Sequence, residues 1–130
     1  MAAAPLTRDV AGLAALLAVS GVTHLVRPDV YEGMVPHALG HRRELVYASG
    51  VAELLCAAGL LVPRTRRVVG WASAGLLVAV FPANVQMTVD QGRRAGRTGA
   101  PAARATFVAT LARLPLQWPL IRSALRAAGR

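Results

Sequence analysis

Two ionisable side chains stand in the middle of apolar runs. Glu53 lies in the run 45–62 and Arg113 in the run 105–125. A charge near the centre of a membrane helix costs roughly 2.5 to 3.5 kcal/mol on insertion scales, so each needs a partner or a purpose. Both are eight residues in from the ends that face the first and third connections, about 12 Å of helix. Equal depth predicts that they meet as a buried ion pair, since either charge alone is expensive. By the same count His24 falls at the loop-side end of the first run, and Asn84 and Gln86 lie about 5 to 8 Å from that end in the third. Thr106, Thr110, Arg113 and Gln117 recur at helical spacing as one stripe, and Ser49 precedes Glu53 by one turn. His24, Glu53, Asn84, Gln86, Arg113 and Gln117 are therefore the candidate pocket residues. Such a set could bind a polar head or move a proton. It could equally clip helices in register, with His24 bonded to backbone at the interface and the amides serving carbonyls freed by Pro82.

Other chemistries find little support. His37 and His41 are four apart with His24 and Glu44 nearby, but Pro36 and Gly40 oppose a regular helix there, and no metal site is expected. Only one histidine lies in a span, which argues against a two-histidine haem. Cys56 is the single cysteine, so dithiol chemistry within the chain is excluded. No Gly-rich phosphate loop and no Ser/His/Asp array occurs. Whether the chain is an enzyme stays open: without a self-contained catalytic motif it would be at most a subunit of a quinone-linked oxidoreductase.

The elements that must position these groups follow from the hydropathy. Of 130 residues, 55% are hydrophobic, too many for a soluble core of this length. Four apolar runs, about 10–26, 45–62, 68–89 and 105–125, each approach the length that spans the roughly 30 Å of hydrocarbon. The reading is a single all-α domain over 1–130, an integral membrane four-helix bundle with the first run kept as a helix rather than cleaved. Asp29 and Glu32 resemble a capping box that opens a short interfacial helix in the first loop. The turn after Pro63 makes the second and third spans antiparallel neighbours. Gly75, Ala79 and Ala83 form a small-residue stripe for close packing of the third span. Residues 90–104, rich in Arg, Gly and Ala, read as a mobile loop. The net charge of +9 is spread between apolar blocks with only 5% aromatic residues, which points away from nucleic acid. Trp71 and Trp118 read as interfacial anchors. Arginines divide nearly evenly between the two sides, and the compact cluster Arg64, Arg66 and Arg67 favours cytoplasmic termini.

Several segments, in order, resemble the DoxX-like family of small bacterial four-helix membrane proteins. They are Gly21-Val-Thr-His24 with Pro28, Val35-Pro36, Ser49-Gly50-Val-Ala-Glu53, Gly59-Leu-Leu-Val-Pro63, Phe81-Pro-Ala-Asn84-Val-Gln86-Met87 and Arg113-Leu-Pro-Leu-Gln117. The resemblance implies a multi-pass protein of the bacterial inner membrane, associated with redox or oxidative-stress assemblies. Combined with the polar half of the bundle, it yields the leading expectation: a membrane subunit or accessory protein of a redox system, binding a quinone-like molecule and working with another membrane or redox protein. The alternatives are a non-catalytic scaffold clipped by Glu53 and Arg113, and a small solute transporter acting as a homo-oligomer.

Overall fold

The computed structural model describes residues 3–130, and among them the secondary structure is entirely helical. Helix α1 (Arg8–Val26) stops where Pro28 forces the preceding Arg27 out of helical geometry. Pro28 then opens the short α2 (Pro28–Glu32) as its first residue, a position that needs no backbone N–H. A single 3₁₀ turn, His37–Leu39, follows. Gly40 and His41, both at positive φ, reverse the chain into α3 (Arg42–Leu61). After Pro63, α4 (Arg66–Thr98) and α5 (Pro101–Ala127) form a long hairpin.

The four long helices pack in a ring: α1 against α3, α3 against α4, α4 against α5, and α5 back against α1. Helices α1, α3 and α4 are long and apolar enough to cross a membrane. Only 33%, 33% and 28% of their apolar windows are buried inside the protein. The rest, including Leu55, Val68 and Val78, faces outward, as lipid-solvated helices do and soluble ones avoid.

Three expectations need correction. Residues 90–104 are not a loop. Helix α4 continues to Thr98, and the chain leaves helical form only at Gly99 and Ala100. Arg, Gln and Ala are strong helix formers; the true stop is Gly99 at φ 61, whose N–H bonds to the Ala95 carbonyl, followed by Pro101 at the first position of α5. The capping box is also absent. Asp29 is engaged by Arg27 at 3.1 Å, which holds its carboxyl below the ordinary range, while Glu32 pairs with Arg43 across the loop. Finally, Gly75 faces open space, with nothing within 4 Å of a Cβ placed there. Helix α4 instead makes its close contact at Gly70, where a Cβ would lie 2.5 Å from the Ala128 nitrogen and 2.7 Å from the Ala124 carbonyl.

The end of the ring near the termini is filled with apolar side chains. Val10, Leu13, Leu17, Leu60 and Ala124 form its core, and Asp9 pairs with Arg126 at 2.7 Å across α1 and α5. Arg66 is buried among them. Its guanidinium donates to the carbonyls of Leu60 (2.6 Å), Leu61 (2.9 Å) and Ala4 (2.5 Å). A cation thus caps the α3 C-terminus, where the carbonyls lack intrahelical donors and the helix dipole is negative.

Candidate functional site

The opposite end of the ring holds a cavity of about 340 Å³, and its construction begins with two glycines. Helices α1 and α3 touch at Gly21 and Gly50: a Cβ on Gly21 would lie 2.8 Å from the Gly50 carbonyl, and one on Gly50 would lie 2.7 Å from the His24 Cβ. Only glycine permits that backbone approach. His24 and Glu53 each lie one turn past these glycines on antiparallel helices, so they step away from the crossing in opposite directions, and each side chain leans back toward its own helix N-terminus to meet the other. His24 Nδ1 lies 3.2 Å from Glu53 Oε2.

That nitrogen is already committed. It lies 2.6 Å from the Ser20 carbonyl, which can only accept, so Nδ1 carries the proton and donates it along the helix. No donor among the described residues completes a hydrogen bond to Glu53 Oε2, although Glu53 is only 7% exposed. The Tyr31 ring, brought back by the Arg27–Pro28 break, stacks on His24 with centroids 3.8 Å apart and planes at 15°. Burial there pushes the Tyr31 phenol above its usual range. Met34, Val35, Pro36 and Leu39 from the first loop cover the cavity, and Ala79, Val80 and Ala83 of α4 form the facing wall. The small stripe expected to draw helices together therefore leaves space instead.

Of the six candidate residues, His24, Glu53, Asn84 and Arg113 line this cavity. The other two do not. Gln86 is exposed and bonds to Asp90 at 3.0 Å on its own helix. Gln117 is buried and donates to the Leu77 carbonyl, next to the Val78 carbonyl that Pro82 leaves without its helical donor. The expected Glu53–Arg113 ion pair is not formed: no contact within 4 Å joins them, and Glu53 turns to His24. Depth along a helix says nothing about azimuth: α3 packs on α1 through Gly50 and Glu53 meets His24 there, while Arg113, an exposed residue of α5, lines the same cavity without reaching Glu53. Tyr31 was missed from sequence. Its signal is the Arg27–Pro28 break, which folds the residues after it back toward the last turn of α1.

Among the described residues no three His, Cys, Asp or Glu side chains gather as a metal site, and Cys56 is buried and unpaired with any other thiol. Residues 13–128 match a family described as a domain of unknown function (DUF8561). The chain belongs to that family. No curated protein and no solved structure matches the chain. The matched region includes every cavity-lining residue, from His24 to Arg113.

Proposed function

We propose that this chain is a four-pass protein of the bacterial inner membrane, with α5 as its fourth span, whose cavity receives a lipid-soluble molecule carrying a compact polar head. The observation that carries the reading is the make-up of the cavity: apolar walls with a buried carboxylate and a half-buried imidazole side by side, and Arg113 and Asn84 on the same lining. Apolar walls with a few convergent polar groups are the usual construction of a small-molecule site, and 340 Å³ suits a single ring with its tail left in lipid. A quinone-like compound meets that description. The resemblance of these segments to the DoxX-like family supports a role in a membrane redox system, and the sequence carries no motif for an electron carrier. Electron transfer would belong to a partner protein, with this chain binding and orienting the molecule. Because Glu53 pairs with His24 rather than Arg113, the scaffold alternative loses the clip on which it was based.

The test is thermal stability of the purified chain in detergent with and without a short-chain quinone, supplied in both its oxidised and its reduced form. Wild type should be stabilised, and Ala83→Leu, which fills the cavity, should abolish the effect. Stabilisation that survives in Ala83→Leu sinks the assignment. Cysteine labelling at both termini and in the first loop checks the topology: both termini should label from one side and the first loop from the other.

A further inference from the structure

We infer that the molecule taken up by the cavity presents a neutral hydroxyl donor to Glu53, so that the site selects a phenol or quinol head over the corresponding carbonyl form. The inference rests on the cavity being a site for a lipid-soluble molecule and narrows what that molecule must offer.

The argument is one of unmet hydrogen bonds. Glu53 lines the cavity, and its buried Oε2 has no donor among the described residues, while the proton on its nearest nitrogen goes to the Ser20 carbonyl. A buried carboxylate oxygen without a donor is costly, and a bond from a neutral donor to a charged acceptor is among the stronger ones available. A ketone oxygen brings no proton and would set lone pair against lone pair. A hydroxyl supplies the missing proton. An ammonium head could also donate, but the Arg113 guanidinium lines the same cavity and disfavours a second cation there. Ring stacking has a template as well, since Tyr31 already lies flat on His24 at the cavity wall.

The experiment is anaerobic titration calorimetry of the full chain in detergent with three ligands that share one ring: a short-chain ubiquinol, its oxidised quinone, and its dimethyl ether. The expected ranking has the quinol at least about tenfold tighter than the other two, the gain from one hydrogen bond to a charged acceptor. In Glu53→Gln, whose amide can present either a donor or an acceptor, the spread should shrink to within about threefold. Equal binding of all three by wild type, or a preference for the quinone, overturns the hydroxyl inference while the cavity reading survives. Binding of none overturns the cavity reading and the inference with it. The wild-type ranking decides even if Glu53→Gln does not fold.

Discussion

The two ends of the helical ring solve the problem of a buried charge in opposite ways. At the terminal end Arg66 spends its guanidinium on three carbonyls and leaves no opening. At the loop end Glu53 has one imidazole beside it, a cavity in front of it and an oxygen without a donor. Both ends use glycines for close helix approach, but Gly70 locks α4 against the end of α5, whereas Gly21 and Gly50 bring His24 and Glu53 side by side. The terminal end is the denser of the two, although Ser73 Oγ is buried there without a partner among the described residues; the loop end leaves a carboxylate oxygen in that state and a cavity beside it.

Substitutions can break or sharpen this contrast. The largest effect is expected for Gly70→Val: the atoms that a Cβ would meet are all backbone of α5, which cannot move aside, so the chain should lose about 3 kcal/mol or fail to fold, read as loss of the monodisperse species in detergent. Arg66→Met should follow, losing about 2 to 3 kcal/mol in denaturant melts because buried carbonyls at the α3 terminus lose charged donors. Gly50→Ala should cost about 1 to 2 kcal/mol and, more tellingly, abolish ligand stabilisation, since the new methyl presses on His24 and parts it from Glu53. Glu53→Gln should shift stability by less than about 1 kcal/mol, because it removes an incompletely bonded charge. A larger loss there than in Arg66→Met would reverse the contrast between the two ends. Gly75→Ala should lie within about 0.5 kcal/mol of wild type, because the position faces open space.

Much of this was readable in advance. Apolar runs fixed three of the helices to within a few residues, and the count of helical turns put His24, Glu53, Asn84, Gln86 and Arg113 in the same half of the bundle, where the cavity is lined by all of these but Gln86. Depth along a helix is a one-dimensional property and survives in sequence. Rotation about the axis is not, which is why Arg113 was assigned to Glu53 and Gln117 to the cavity rather than to the Leu77 carbonyl. Residues 90–104 misled because arginine-rich composition was read as disorder, when Arg, Ala and Gln sustain a helix and only Gly99 ends it. Arg66 was legible as charge but not as a cap, since its partners are backbone atoms that no residue type advertises.

The extension of α4 has one further consequence. A hydrocarbon layer takes up about 20 residues and α4 has 33, so on the proposed four-pass topology its last turns stand outside, on the side of the cavity. They carry Arg93, Arg94 and Arg97, all exposed, and Arg104 stands beside them at the start of α5. In water at physiological ionic strength the field of such a cluster reaches about 8 Å before it is screened. A cluster of that kind attracts acidic solutes and acidic protein surfaces from water. Under the proposed function this gives the cavity two approaches of different polarity, one through lipid and one from water, and only the second should weaken as salt is added.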